Sequence, residues 1–295
     1  MIWSGLPAAS ELPSLVWAGV WAGMIAASLG VLVVIGFRVS RVLNLAIGSA
    51  FVLGAFLFGA LGGSLPAAVA LAVVALVAAA AGAAQERVVL RPLRAKPPFV
   101  QLLSTVGIAF AVEGFVIATW GREPVSAPKV LDGQLTVGDV HAQHAQLILV
   151  ATGLVLAFIA QWWLRRTKSG RQVSATTDDP GAAMMLGIDV DRLRLACFAT
   201  VSAAAALIGA VAASLVLVDY ASGLPLSLEA FVAAVIGGGR SPVAALGGGL
   251  LVGLIEAFGG RVFTANIAEV MTFTALIAVV LVARRLPSFQ LAETR

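Results

Sequence analysis

The sequence predicts an all-α, polytopic integral membrane protein with about eight transmembrane helices plus one short or broken helix. Three observations carry this. Of the 295 residues, 60% are hydrophobic and only 12% are charged, whereas soluble domains carry about 25% charged residues. The apolar residues come in continuous runs of about the 20 residues that a helix needs to cross a bilayer, not in the alternating pattern of a β-barrel. The basic residues crowd onto alternate connections, as oriented membrane insertion requires.

The runs fall at residues 15–37, 42–61, 65–85, 99–119, 145–164, 194–218, 242–259 and 263–283. Residues 1–14 hold Glu11 and no basic residue, so they lack the charged start of a secretory leader, and the first run is expected to stay as a span. A further apolar stretch, 226–239, is too short for a full span and runs into Gly237-Gly238-Gly239-Arg240-Ser241-Pro242. Ser241 can cap the next helix and Pro242 can open it. Two readings stay open for this break: a tight cytoplasmic turn, or a broken helix beside a substrate path, where helix N-termini attract anionic groups. No linker composition divides the chain, so residues 1–295 read as one membrane domain.

The formal net charge of +4 is explained by topology. With the polar stretch 165–194 placed in the cytoplasm, only Arg122, Lys129 and Arg261 of the 19 basic residues fall outside, and Arg240 is unassigned. The N-terminus is then outside and the C-terminus cytoplasmic. No basic patch interleaves with aromatics, so no nucleic-acid partner is expected; the surrounding partner is membrane lipid.

Several chemistries are missing. A phosphate-binding Walker A loop needs a lysine directly after a glycine; Lys96, Lys129 and Lys168 are the lysines, and none follows one. The common zinc-hydrolase and serine-hydrolase signatures are missing too. His141 and His144 lie three apart, a spacing that can share a metal on a helix, but no Cys, Asp or Glu stands beside them at ligand spacing. No metal site and no cofactor is therefore expected. Cys197 lies alone in an apolar run and reads as a packing residue.

The polar stretch is the most specific part of the chain. Asp179 can cap a helix, Pro180 suits its first position, and Ala182, Ala183, Met184, Met185 and Leu186 are strong helix formers. Gly187 is a natural left-handed stop. The expected product is a helix of about two turns outside the bilayer, whose exposed Ala-Ala-Met-Met-Leu face suits docking or a membrane surface.

This stretch resembles the cytoplasmic coupling loop of the branched-chain amino-acid permease family of ATP-binding-cassette importers. Three other stretches agree in family order. They are Arg41-Val42-Leu43-Asn44-Leu45-Ala46-Ile47-Gly48 followed by Leu53-Gly54-Ala55; Arg91-Pro92-Leu93-Arg94 followed by Ser104-Thr105-Val106-Gly107; and Phe231 to Gly239 followed by Gly247-Gly248-Gly249 and Gly253-Leu254-Ile255-Glu256. The resemblance covers about residues 36–258. It implies a non-catalytic inner-membrane subunit of a bacterial importer for branched-chain amino acids or related small solutes. Its partners would be a second permease subunit, two cytoplasmic ATP-binding subunits and an extracytoplasmic solute-binding protein. Within loop 165–194 it points to Gly170, Asp179, Ala182, Ala183, Leu186 and Gly187 as the ATPase-coupling residues. The family's Arg-Ala pair in this loop is replaced by Ser174-Ala175, with Arg171 three residues earlier.

Charged groups in lipid usually face a cavity or a partner. Gly249, Gly253 and Glu256 are spaced to share one helix face, and Asn44 and Gly48 are read the same way. Each set either lines the route or packs helices closely. Gly238 belongs to the glycine-rich break. Glu113 stands mid-run, and either the solute reads it or it packs as a neutral acid; Glu229 and Glu269 lie nearer run ends. The alternative to a permease subunit is a self-sufficient secondary transporter or channel. That protein would also lack a Walker A loop, and mid-span acids can carry protons, but it has no need of the loop helix. An intramembrane enzyme lacks any nucleophile–base constellation.

Overall fold

The computed structural model describes residues 11–128, 133–137, 140–239, 241–262 and 274. The expected span at 263–283, with Glu269, and the cytoplasmic C-terminus fall almost wholly outside the described residues, as does Arg240.

Helix α1 (Leu12–Ser40) starts with Pro13 in its first turn and is the centre of the bundle. It is buried from Ala26 to Gly36 because the later helices His144–Arg166, Val190–Ala212, Gly223–Ile236 and Pro242–Val262 all pack on it. It ends at Arg41, whose left-handed φ of 57° turns the chain and whose N–H donates to Phe37 O. Residues 42–46 are not helical but are largely buried. Helix α2 (Ile47–Leu61) follows, with 15 residues. At 1.5 Å per residue it is about 22 Å long, short of a hydrocarbon layer of about 30 Å. The expected helix over 42–61 is thus shortened at its start. Hydropathy cannot show this, because the broken segment is as apolar as the helix.

Helix α3 (Ala67–Ala84) continues into a π-helical turn, Gln85–Leu90, and a tight connection leads to α4 (Pro98–Trp120). Its partner across the bundle is α8 (Val190–Ala212). The outer faces of α3, α4 and α5 (His144–Arg166) present Leu76, Phe99, Phe110 and Phe158. Apolar exposure of this kind suits lipid contact. Six helices among the described residues are long and apolar enough to cross a membrane; Ile47–Leu61 and Tyr220–Ile236 are shorter apolar segments.

Two connections differ from the sequence reading. The long one between α4 and α5 carries a hairpin, β1 (Gln134–Val137) against β2 (Val140–Gln143), antiparallel with Gln134 opposite Gln143. Ahead of the hairpin, Val125 pairs with Val218. Residues 213–218 therefore close this end of the bundle and are not the last turn of α8. His141 falls on β2 and His144 opens α5, so they do not share a helix face.

The polar stretch forms α6 (Lys168–Asp178) and α7 (Pro180–Met185). A 3₁₀ turn (Tyr220–Ser222) leads into α9 (Gly223–Ile236), and α10 (Pro242–Val262) returns antiparallel beside it. Gly238 and Gly239, at φ 75° and 65°, make the sharp reversal between them.

Candidate functional site

The polar stretch is built as a rigid bracket. Thr167 caps α6 by accepting from Gly170 N at 3.0 Å, and its own hydroxyl donates to Trp163 O at 2.8 Å. Gly170 lies so close to the end of α5 that an added Cβ would stand 2.7 Å from Leu164 Cα. Val173 is fully buried, and Thr177 donates to Arg38 O at 2.6 Å, tying the far end of α6 to the last turns of α1.

Asp179 then caps α7, accepting from Gly181 N at 2.8 Å and Ala182 N at 3.0 Å. The helix closes with Ile188 N donating to Ala183 O at 3.2 Å, around Gly187 at φ 80°. This is the left-handed stop that the glycine dictates. The sequence reading puts Ala183 on the exposed face with Leu186. Instead Ala183 points inward at 1% exposure, while Met184, Met185 and Leu186 are 59%, 91% and 79% exposed. The presented apolar face is therefore Met184-Met185-Leu186, with Ala183 the residue that seats the helix on the bundle.

Asn44 and Gly48 do not share a helix face, because Asn44 precedes α2. Asn44 Oδ1 accepts from Ala46 N at 3.0 Å and from Gln85 Nε2 at 2.8 Å, while Leu45 N donates to Thr105 Oγ1 at 3.2 Å. These bonds satisfy polar groups of a non-helical segment that is buried inside the protein. Gly48 N donates to Ser227 Oγ at 2.9 Å, and a Cβ on Gly48 would collide with Gly223 O. The break at 42–46 is thus clamped between α3, α4 and α9.

Glu113 is half-buried on α4. With Ser49, Val52, Val112, Tyr220 and Gly223 it lines a cavity of about 10 Å³, about the size of one water. The Glu113 side chain thus meets the first turn of α2 and the start of α9.

Gly249 and Gly253 face α1: Cβ atoms there would run into the backbones of Ala27 and Gly23. Their placement is helix packing; Glu256 sits one turn beyond, half-buried. Gly238 closes α9 with its N–H on Val235 O at 2.8 Å. The Ser241 hydroxyl lies 2.8 Å from the Gln161 amide nitrogen, and the Gln161 oxygen in turn accepts from Arg165.

At the mouth of α3 and α8 lies an ionic cluster that sequence reading did not single out. Glu86, in the π-helical turn, is 1% exposed. Its Oε1 lies 2.5 Å from Arg94 Nη2 and 3.2 Å from Arg194 Nε. Arg94 also binds Asp191, which takes Arg91 Nη2 at 2.6 Å. Burial by itself lowers the Arg94 pKa, but the hydrogen bonds to Glu86 and Asp191 outweigh it and hold the guanidinium above its ordinary value.

A sequence profile described as "Branched-chain amino acid transport system / permease component" matches residues 11–283. The chain belongs to this family. The permease protein LivH of the high-affinity branched-chain amino acid transport system of Escherichia coli (strain K12) is 30% identical over 213 residues, covering 70% of this chain and 69% of LivH. BraD of Pseudomonas aeruginosa is 29% identical with the same coverage. LsrC of the autoinducer 2 import system of Enterobacter sp. (strain 638) is 38% identical over 127 residues, 42% of this chain and 35% of LsrC. Among solved structures, PsaBC from Streptococcus pneumoniae in complex with Fab gives a TM-score of 0.49 at 13% identity, over 92% of this chain and 91% of that one.

The chain is thus a multi-pass membrane permease subunit of the ATP-binding-cassette importer type. In this permease the residues that hold the break before α2 come from four places in the sequence: Asn44, Gln85, Thr105 and Ser227. Of these, Asn44 and Thr105 show as polar residues within apolar runs that the resemblance marks. Gln85 and Glu86 have a different signal: they sit at the end of the 65–85 run and just before the Arg-Pro-Leu-Arg stretch, where a carboxylate among arginines invites pairing.

Proposed function

We propose that this permease passes branched-chain amino acids or related small solutes across the bacterial cytoplasmic membrane. It works beside a second permease subunit, receives solute from an extracytoplasmic binding protein, and draws on two cytoplasmic ATP-binding subunits. It hydrolyses no ATP itself. Its N-terminus is outside, its C-terminus is inside, and residues 165–194 form the cytoplasmic coupling loop of a single membrane domain, 1–295.

The observation that carries this reading is the exposed Met184-Met185-Leu186 end of α7. It projects from a bracket tied to α1 and α5, among connections rich in arginine and lysine. An apolar tip on a rigid, capped support suits a groove on a soluble partner. Glu113 beside its cavity is the group offered to the solute, whereas Gly48, Gly249 and Gly253 serve close helix packing, with Glu256 beside that seam. The relatives LivH and BraD are named for branched-chain amino acid transport, which supports that solute class.

The test is reconstitution. The permease is co-purified with its ATP-binding subunits and placed in proteoliposomes with loaded binding protein. Uptake of leucine, isoleucine or valine is expected to require ATP and all subunits. Uptake that persists without ATP or ATP-binding subunits identifies a self-sufficient carrier and overturns the reading.

A further inference from the structure

The buried acid Glu86 has no part in the Glu113 cavity or on the docking face, yet its position links the two. Only Leu186 to Ile188 separate α7 from Asp189, which caps α8 by accepting from Arg192 N at 3.0 Å. Asp191 and Arg194 lie in the first turns of α8. Through Arg94 and directly, they converge on Glu86. Glu86 in turn stands in a π-helical turn, where Arg91 N reaches back five residues to Glu86 O at 2.7 Å. Such turns interrupt α-helices frequently at functional places. The preceding residue, Gln85, donates to Asn44 Oδ1, and Asn44 holds Ala46 N at the entry to α2. Three residues on, Ser49 lines the Glu113 cavity.

The cluster is also incompletely paired. Among the described residues, Glu86 Oε2, Arg94 Nε and Arg194 Nη2 are buried without a hydrogen-bond partner. Buried polar groups are normally satisfied, and a half-satisfied network is one that a second arrangement can complete. An ionic cluster at an element boundary, with more than one pairing available, is a place where an exchange of partners can accompany a helix shift.

We infer that Glu86 is a positioning residue for transport, fastening the first turn of α8 to the π-helical turn and passing displacement of α7 through Gln85 and Asn44 to the start of α2. The inference rests on the proposed function, since it needs α7 to be the part that moves with ATP. The cluster exchanges partners as α8 shifts, and the exchange moves the wall of the Glu113 cavity. Glu86 touches neither solute nor nucleotide.

Two variants test the two halves of the relay. Glu86→Gln alone strands buried arginines and endangers folding, so it is paired as Glu86→Gln/Arg194→Gln, which removes acid and base together. Gln85→Ala cuts only the neutral link to Asn44. In proteoliposomes holding the assembled importer, both are expected to lower solute imported per ATP hydrolysed by about fivefold or more, with assembly and thermal melting of the complex retained. A merely structural pair lowers stability but leaves that ratio alone. A wild-type ratio in both variants overturns the inference, and so does loss of assembly in both, because the cluster then only holds the fold. A fall in the double variant alone overturns the path through Gln85 and Asn44. The failure of the underlying reading is separate: a wild-type importer without ATP-dependent uptake defeats the proposed function, and the relay falls with it.

Discussion

Gly23 and Gly253 meet backbone to backbone, so that a Cβ added to Gly23 would stand 2.8 Å from Gly253 Cα. Gly19 and Gly249 extend the seam in both directions, and α1 and α10 lie together along it. In lipid, helices associate through close packing and not through hydrophobic exclusion, so small residues at the seam set how near they come.

Gly253→Leu is therefore expected to force α1 and α10 apart. Overpacking costs about 1–3 kcal/mol. Thermal unfolding of the purified permease in detergent should show a lower midpoint than Gly247→Leu, where an added Cβ meets nothing within 4 Å. Equal midpoints for the two variants argue against the seam.

Docking of α7 separates two kinds of residue. Met185→Asp and Leu186→Asp place a charge on the exposed face and should weaken binding of the ATP-binding subunits by about 1–3 kcal/mol, roughly fivefold to a hundredfold, with the membrane part unchanged. Ala183→Asp buries its charge under the helix instead and should loosen the loop itself. Pull-down of ATP-binding subunits, beside protease sensitivity of residues 165–194, distinguishes the two. Retained binding in both surface variants removes α7 as the docking site.

Orientation is read with cysteines in a Cys197→Ser background. A cysteine replacing Glu123 should react with an impermeant reagent applied outside, and one replacing Met185 should react only after the membrane is opened. The basis is the placement of basic residues on the α7 side. The opposite labelling reverses the topology.

Much of this was legible in the chain. The Asp179-Pro180 start and Gly187 stop of α7 follow from local chemistry that needs no tertiary partner, and the apolar runs locate the long helices because lipid demands continuous hydrophobic length. What escaped depends on distant partners. Gly170 is marked only by the resemblance, yet α6 needs a glycine there to approach Leu164. Arg94 and Asp191 are 97 residues apart, and nothing local announces their pairing. The break at 42–46 hides in an apolar run, since hydropathy senses composition and not backbone direction. Ala183 turned inward because a two-turn helix has two sides, and composition alone does not say which one the bundle takes.

Glu113 gives a test of solute recognition. Glu113→Gln keeps the shape and removes the charge. If the carboxylate is read by the solute, affinity or ranking across small amino acids and amides should shift, by about tenfold for a charge-assisted hydrogen bond of about 1.5–3 kcal/mol. Uptake competition in proteoliposomes measures it. Identical ranking and affinity for every solute assigns Glu113 to packing.

The central place of α1 has a consequence for biogenesis. Among the described helices this one leaves the ribosome before the others, and α9 and α10, which cover its glycine-lined flank, follow the rest. Throughout synthesis that flank must rest against lipid or an insertion factor, with its eventual neighbours absent. Packing of α1 against α9 and α10 is therefore a late closure between distant parts of the sequence, the long-range step that slows folding most. Premature truncation before α10 should leave α1 membrane-inserted but exposed to quality-control proteases, a failure that arises during manufacture and leaves the finished transporter untouched.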